Sequence, residues 1–236
     1  MEAVEQRKII KAVRNEPALA EVFKVPLLSV PTSLLLLLCY VGFGATTYLY
    51  LQDIIEILND TDVSVISQNF DYESLGSFTG GISLTQLEEI GLSKTILGHS
   101  ERRSKFNESN EMVDKKLEIV LNSNFDVIYC FDTYEQIPFD LIKNNLNVNS
   151  KLTLAYEPTW AIGTGETATV EHIEEIHSKV RSTLESLNIK DIPILYGGSV
   201  NPANSNQIIH ANYVDGVLVG GASTNFDQLT GIINSI

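Results

Sequence analysis

The feature that most constrains the fold of this 236-residue chain is a series of short apolar runs rich in β-branched residues. Eight runs stand out: Lys8–Val13, Leu37–Phe43, Val63–Ser67, Thr95–Leu97, Asp126–Phe131, Leu152–Tyr156, Ile192–Tyr196 and Gly216–Val219. Patterns typical of helices separate most of them, most clearly Thr85–Glu89, Glu111–Leu121, Val170–Leu187 and Asn204–His210. Thr169 is a candidate N-cap for the third of these, with Glu171 in its first turn. Strands that alternate with helices in this way predict βα units and a parallel sheet.

The apolar character of whole runs indicates strands that are covered on both faces. Eight such strands in a chain of this length predict a closed (β/α)8 barrel, an α/β fold, as one domain over residues 1–236. An open, doubly wound sheet is the alternative, but no Gly-x-Gly-x-x-Gly follows the first run, which disfavours a dinucleotide-binding fold. The first two βα units, within residues 1–60, have the weakest patterns, so we expect them to be irregular.

Charge and cysteine content exclude some classes of partner. The formal net charge is −14 and the pI is about 4.6, which disfavours nucleic acid and anionic membrane surfaces as partners. A small anion is still compatible, because backbone N–H groups can hold a phosphate whatever the net charge. Cys39 and Cys130 lie in apolar runs and form neither a disulfide framework nor a zinc motif. We therefore expect reduced thiols and a cytoplasmic protein.

One uncharged segment, Val25–Gln52, raises the alternative of a membrane anchor. A spanning helix needs roughly 20 consecutive apolar residues. Prolines, glycines and hydroxyl residues interrupt this segment, and its longest apolar run is only Leu34–Val41. Membrane insertion is therefore disfavoured, and no membrane partner is expected.

The unusual polar clusters all follow predicted strands. Gly98–Arg103 follows the fourth strand and Glu157 ends the sixth, while Gly197-Gly198-Ser199 follows the seventh and Gly220-Gly221 the eighth. In a (β/α)8 barrel the catalytic groups lie at the carboxyl ends of the strands. These four clusters are therefore expected at one rim of the barrel.

The chemistry of the clusters points to a phosphorylated substrate. Gly197, Gly198, Gly220 and Gly221 suit the phosphate site that many barrels hold between the loops after strands seven and eight, although paired glycines are also common in plain turns. Glu157 and His99 could together remove a carbon-bound proton and polarise a neighbouring carbonyl. A solvated strand-end carboxylate and a structural histidine are the alternatives.

Several motifs resemble those of the triosephosphate isomerase family. Ile96-Leu97-Gly98-His99-Ser100-Glu101-Arg102-Arg103 is similar to its histidine motif, and Ala155 to Gly165 is similar to its glutamate and lid motif. The segments Tyr196–Val200 and Val219–Ser223 resemble its two phosphate loops. The motifs occur in the family's order, and the resemblance extends from about Val63 to Ile236.

The resemblance implies an isomerase that interconverts dihydroxyacetone phosphate and glyceraldehyde 3-phosphate through an enediolate. Glu157 would be the base, neutral His99 the electrophile, and Glu101 a supporting residue, a division of labour known for this family. Backbone groups of Gly163, Ser199, Gly220 and Gly221 would hold the phosphate under a lid formed by residues 158–168. No metal and no organic cofactor is implied.

The resemblance also implies a homodimer. Gln68-Asn69 and Gly76–Gly80 are similar to the family's third loop, in which a threonine, here Thr79, reaches into the site of the neighbouring subunit. The family usually has an acidic residue where this chain has Gly81.

Two segments depart from the family pattern. The family's first strand ends in Asn-x-Lys, but here Asn15 is followed by Glu16 and Pro17, and neither Lys11 nor Lys24 can be assigned to the lysine's role. Cys130-Phe131-Asp132-Thr133 stands where the family has Cys-Ile-Gly-Glu, and the short stretch from Cys130 to Leu152 predicts a truncated fifth helix.

Three hypotheses follow. The first is an active isomerase, slowed by the missing lysine by on the order of 10²–10³ in rate. The second is a noncatalytic phosphosugar-binding barrel that lacks the first-strand lysine. The third is a membrane-tethered protein that uses Val25–Gln52.

Overall fold

The computed structural model describes residues 35–38, 45–46, 48–59, 63–71, 77–146, 151–162 and 167–235. In these residues eight strands form one parallel sheet: β1 Leu35–Leu38, β2 Ala45–Thr46, β3 Ile66–Ser67, β4 Lys94–Leu97, β5 Asp126–Phe131, β6 Leu152–Tyr156, β7 Ile194–Tyr196 and β8 Gly216–Val219. The α-helices of the described residues are α1 Leu51–Leu58, α2 Leu84–Glu89, α3 Ser100–Lys105, α4 Asn110–Leu121, α5 Phe139–Asn145, α6 Val170–Ser186, α7 Ser205–Ile209 and α8 Phe226–Ile233.

The order of the strands in the sheet is β1-β8-β7-β6-β5-β4-β3-β2. The first described strand pairs in parallel with the last, with Leu35 opposite Gly216 and Leu38 opposite Val219. Consecutive strands pair in parallel from β2 to β8. The pairing of β1 with β8 is what a barrel requires, and the predicted fold of the (β/α)8 type is confirmed.

The N-terminal strands differ from the prediction. The predicted first strand, Lys8–Val13, lies outside the described residues, as do Asn15 and Lys11. The prediction of a second strand at 37–43 is wrong in its position, because Leu37 and Leu38 belong to β1 beside β8 and Ala45–Thr46 takes the second place. The leucine run has no period of two residues, so the sequence does not reveal its register or its neighbours.

Alternate residues of the strands build two separate apolar layers. An inner cluster takes residues from β3 to β8, and its members are Ile66, Ile96, Ile128, Cys130, Ala155, Leu195 and Leu218. Their strand neighbours, such as Leu154, Tyr156, Ile194 and Tyr196, pack outward in the larger cluster shared with the helices. Since both faces are buried, the strands read as continuous apolar runs rather than as alternating ones.

Side-chain caps near the helices determine where several of them begin. Thr169 caps α6 by accepting a hydrogen bond from His172 N, as the sequence predicted. Ser83 and Gln86 form a reciprocal capping box at α2, which satisfies two N–H groups of the first turn. The fifth helix, α5, has only seven residues, so the prediction of a truncated helix is confirmed.

No helix in the described part of the chain is both long enough and apolar enough to cross a membrane. Most of the candidate segment at residues 25–52 lies outside that part.

His177 on α6 gives the fold a measurable dependence on pH. It is fully buried, with Nδ1 3.1 Å from the carbonyl oxygen of Tyr213 and with Nε2 lacking a hydrogen-bond partner. Burial lowers the pKa of His177 from 6.5 to about 4. Between pH 6.5 and 4, His177 therefore binds a proton in the unfolded chain but not in the folded chain. The folded state loses stability as the pH falls through this window.

We predict that the His177→Asn variant, which cannot titrate there, loses less stability on acidification than the wild type. The difference is about 3 kcal/mol at most, since one pKa unit is about 1.4 kcal/mol. Urea unfolding at pH 7 and pH 4.5 measures it, with exposed His210→Asn as the matched control. Equal acid sensitivity of the His177 variant and the wild type would contradict the assignment.

Candidate active site

Glu157 is a buried carboxylate at the carboxyl end of β6. It has the same strand parity as Ala155, a residue of the inner cluster, so its side chain points into the barrel mouth. Its side chain is only 2% exposed. Oε2 accepts a hydrogen bond from the backbone N–H of Ser100 at 2.8 Å, and the Glu157 N–H donates to the carbonyl oxygen of Phe131 at 2.7 Å.

His99 faces this carboxylate from the start of α3. Its Nε2 lies 3.0 Å from Oε1 of Glu157, and its Nδ1 accepts from the backbone N–H of Glu101 at 3.3 Å as the helix N-cap. Because Nδ1 is an acceptor, we assign the proton of the neutral ring to Nε2, which donates to Glu157. A neutral imidazole that presents an N–H to the barrel mouth can polarise a carbonyl.

Gly98 allows the chain to turn into α3. Its φ is +69°, in the left-handed region. A Cβ atom here would also lie 2.9 Å from Cγ1 of Val113 and 3.1 Å from the carbonyl oxygen of Cys130. Both constraints require glycine, so Gly98 determines where His99 begins the helix.

The electrostatics of His99 depend on Glu157. Burial lowers the pKa of His99, but the nearby charge of Glu157 and its hydrogen bond raise it, and the net result is above the usual value of 6.5. Glu101 adds to the increase and Lys105 opposes it. Protonation of the neutral His99 ring would take place at Nδ1. It would break the hydrogen bond that Nδ1 accepts from the Glu101 N–H.

The hydrogen bond between Glu101 and His99 is made by the backbone of Glu101. Its backbone N–H holds His99, whereas its carboxylate accepts from Nζ of Lys105 at 2.6 Å. Its side chain is 34% exposed. Glu101 therefore touches the site through its backbone and its charge.

The loop after β7 has a function that the sequence did not suggest. Gly197 was predicted to serve a phosphate, but a Cβ atom there would lie 3.0 Å from Cγ of Glu157 and 3.2 Å from the carbonyl oxygen of Tyr156. Gly197 therefore leaves room for the Glu157 side chain. Gly198 is similarly confined, because a Cβ atom would lie 2.1 Å from the Tyr196 hydroxyl.

The remaining phosphate candidates are differently placed. Ser199 donates from Oγ to the carbonyl oxygen of Ala161 at 2.5 Å, and so joins the β7 loop to the segment after Glu157. Gly220 and Gly221 begin the 3₁₀ helix Gly221–Thr224, and a Cβ atom on either glycine would meet nothing within 4 Å. Gly163 lies outside the described residues.

Two contributors were missed at the sequence level. Ser100 binds Glu157 through its backbone N–H, which no side-chain signal could reveal. Asp132 accepts two hydrogen bonds from Thr159, two residues after Glu157. Its only sequence signal was the departure from the family pattern after Cys130.

We predict that Glu157→Gln lowers the pKa of His99, because the carboxylate is the main group that raises it. An NMR titration of the imidazole carbon protons measures the change. Glu101→Gln should lower the pKa by less, since Glu101 is the smaller contributor. A His99 pKa that stays the same in Glu157→Gln would show that the two side chains are not paired in solution.

Comparisons with known proteins identify the family. A family model described as triosephosphate isomerase matches residues 42–236. Among curated proteins, triosephosphate isomerase of Flavobacterium johnsoniae is 39% identical over 210 residues, which cover 81% of this chain and 84% of that protein. The enzyme of Helicobacter hepaticus is 40% identical, covering 72% and 74%, and that of Chlorobium phaeobacteroides 36% identical, covering 84% and 85%. The chain therefore belongs to the triosephosphate isomerase family.

Proposed function

We propose that this protein is a triosephosphate isomerase, which interconverts dihydroxyacetone phosphate and glyceraldehyde 3-phosphate. The observation that carries the proposal is the pairing of the buried Glu157 with the half-buried His99, with 3.0 Å between Oε1 and Nε2. The names of the relatives supply the substrate.

Glu157 serves as the base in this proposal. A carboxylate at the barrel mouth can take a proton from one carbon of the substrate and return it to the next, passing through an enediolate. In the structure its oxygens accept hydrogen bonds from His99 Nε2 and from the Ser100 N–H. A substrate that engages His99 takes the place of the first contact and leaves Glu157 facing the carbon.

His99 serves as the electrophile. Its Nε2–H points into the site because Nδ1 is held by the first turn of α3. A donor fixed in this way stabilises the negative oxygen of the enediolate without reorganising during the reaction. Glu101 supports it through the backbone N–H that defines the tautomer.

Backbone N–H groups bind the substrate phosphate. We assign this role to Ser199, Gly220 and Gly221, together with Gly163 of the lid. The open space around Gly220 and Gly221 supports the assignment, because an anion can approach their backbone closely.

We also propose that the chain is one domain over residues 1–236 and that it acts in the cytoplasm, in glycolysis and gluconeogenesis. The described strands all belong to one sheet, from Leu35 to Val219, which supports a single domain. Cys130 lies within the barrel interior, where a structural thiol stays reduced.

We predict that a coupled assay detects isomerisation and that Glu157→Gln lowers kcat by about 10²–10⁴, the usual contribution of a general base. Gln preserves the volume and can still accept from the Ser100 N–H. Glu171→Gln, an exposed acid in the first turn of α6, is the matched control. A folded wild type without turnover, or one no faster than Glu157→Gln, would favour the noncatalytic barrel.

We propose that the protein is a homodimer, with the Thr79 loop crossing the interface. Thr79 and Gly80 occupy an exposed turn closed by the hydrogen bond from Gly81 N to the carbonyl oxygen of Phe78 at 3.0 Å. Gly80 has a φ of +83°, which such a turn requires. Phe78 is 49% exposed, and an exposed aromatic beside a projecting turn is typical of an interface.

The base of this loop is closed by Asp71 and Ile82. The Asp71 N–H donates to the carbonyl oxygen of Ile82 at 2.7 Å, and the Ile82 N–H donates to Oδ2 of Asp71 at 2.6 Å. A Cβ atom on Gly81 would lie 2.7 Å from the same Oδ2. The Asp71 carboxylate therefore occupies the space in which a side chain at position 81 would begin.

A buried charge cluster supports the start of the loop. Lys116, only 2% exposed, donates to Oδ1 of Asn69 at 3.0 Å and to Glu108 at 2.7 Å. Arg102 donates to the same Glu108 oxygen from two nitrogens. Burial would raise the pKa of Glu108, but these two cations hold it below its usual value. Asn69 is thereby fixed two residues before Asp71.

We predict that Gly81→Glu, which restores the acid usual in the family, weakens dimerisation because it collides with Asp71. The double variant Asp71→Ala/Gly81→Glu removes the collision and should dimerise better than the single variant. Sedimentation velocity over a range of concentrations measures both. If Gly81→Glu dimerises as tightly as the wild type, the contact between Asp71 and Gly81 does not constrain the loop.

A further inference from the structure

We propose that Asp132 is a positioning residue for Glu157, acting through the 3₁₀ turn that follows the base. Asp132 comes directly after β5, in the segment where the chain departs from the family's Cys-Ile-Gly-Glu. The catalytic consequence of this proposal rests on the proposed isomerase function, whereas the structural link can be measured without it.

Both carboxylate oxygens of Asp132 bind one residue. Oδ1 accepts from the Thr159 N–H at 3.0 Å, and Oδ2 accepts from the Thr159 hydroxyl at 2.7 Å. Two bonds to one residue fix its backbone and its χ1 rotamer together, and hydrogen bonds to a charged acceptor are the stronger kind. Thr159 is only two residues after Glu157.

Asp132 supplies a cap that the turn cannot make for itself. The 3₁₀ helix Thr159–Ala161 has Pro158 at its N-cap, and no side-chain capping bond is made there. A helix start needs an acceptor for its free N–H groups. Asp132, 27 residues away along the chain, provides that acceptor.

Asp132 is itself held in place. Its backbone N–H donates to Oε1 of Gln136 at 2.7 Å. The carbonyl oxygen of Gln136 in turn accepts from the hydroxyl of Tyr129 at 2.7 Å, and Tyr129 is fully buried in β5. The carboxylate is thus presented from a rigid strand end.

Other contacts hold the two ends of the same segment. The Glu157 N–H binds Phe131, the neighbour of Asp132, at 2.7 Å, and the Ala161 carbonyl accepts from Ser199 Oγ at 2.5 Å. Between these points Asp132 holds Thr159. When Asp132 is removed, Thr159 loses its two hydrogen bonds to the Asp132 carboxylate. The middle of the segment is then held less firmly, and the backbone that carries Glu157 can shift.

The test uses Trp160, which is the single tryptophan of the chain. It follows Thr159 directly, is 48% exposed, and its ring centroid lies 5.9 Å from that of His172. Acrylamide quenching of its fluorescence therefore reports on the turn whether or not the protein turns over substrate. The His99 pKa, followed by NMR, reports whether Glu157 has stayed beside the imidazole.

We expect Asp132→Ala to raise the quenching constant of Trp160 about twofold, to lower the pKa of His99, and to reduce kcat about tenfold with KM changed less than twofold. Thr159→Val, which keeps the N–H but not the hydroxyl, should fall between Asp132→Ala and the wild type. Thr159→Ser should behave as the wild type does. Thr133→Ala is the matched control, since the Thr133 side chain makes no capping bond.

The outcomes separate the two proposals. If Asp132→Ala loses thermal stability but keeps the wild-type quenching and His99 pKa, Asp132 has a merely structural role and the proposal is overturned. Wild-type kcat in Asp132→Ala overturns it as well. If the wild type itself has no isomerase activity, the proposed function fails, and an increase in quenching together with a lower His99 pKa would still establish the positioning role.

Discussion

The site depends on one interaction, the burial of the Glu157 carboxylate between His99 and the first turn of α3. An ionised carboxylate taken out of water is costly unless donors replace its hydration. Here the donors are an imidazole and the backbone N–H of Ser100, both fixed by the same short helix. The gap beside Gly197 gives the side chain its place. Removing any one of these parts leaves a buried charge without full compensation, so the loops after β4, β6 and β7 are energetically coupled.

The end of β5 connects these loops. Arg103, in the helix that His99 caps, donates to the carbonyl oxygens of Gly98 at 2.7 Å and Cys130 at 3.2 Å. On the other side of the strand, Phe131 accepts from the Glu157 N–H. One strand end therefore links the helix that begins after His99 to the backbone of Glu157. Both faces of β5 are buried, so packing on both sides holds this strand end in place.

The sequence predicted the rim clusters correctly because strand ends in a parallel barrel share one edge, and apolar runs identify the strands. It also predicted the Thr169 cap and the short α5, which depend on local signals. It could not place Leu35–Leu38 beside β8, because an unbroken leucine run carries no register. The sequence did not predict that Gly197 makes room for the Glu157 side chain, because only the tertiary structure brings these two residues together. Glycine suits a phosphate loop as well as a gap beside a side chain. Ser100 acts through its backbone, which any residue except proline would provide.

Two departures from the family pattern follow the same physical rule. At Gly81 the usual acid is missing, and Asp71 places a carboxylate against that position and accepts from the Ile82 N–H. After Cys130 the usual Gly-Glu is replaced by Asp132-Thr133, and the carboxylate of Asp132 accepts from the Thr159 N–H. In each case a carboxylate accepts a hydrogen bond from a backbone N–H at the edge of a loop. In both places the backbone N–H needs an acceptor, and the acceptor comes from a residue distant in the sequence. A chain can therefore change the acids of its loops and still satisfy the backbone near Glu157 and Thr79.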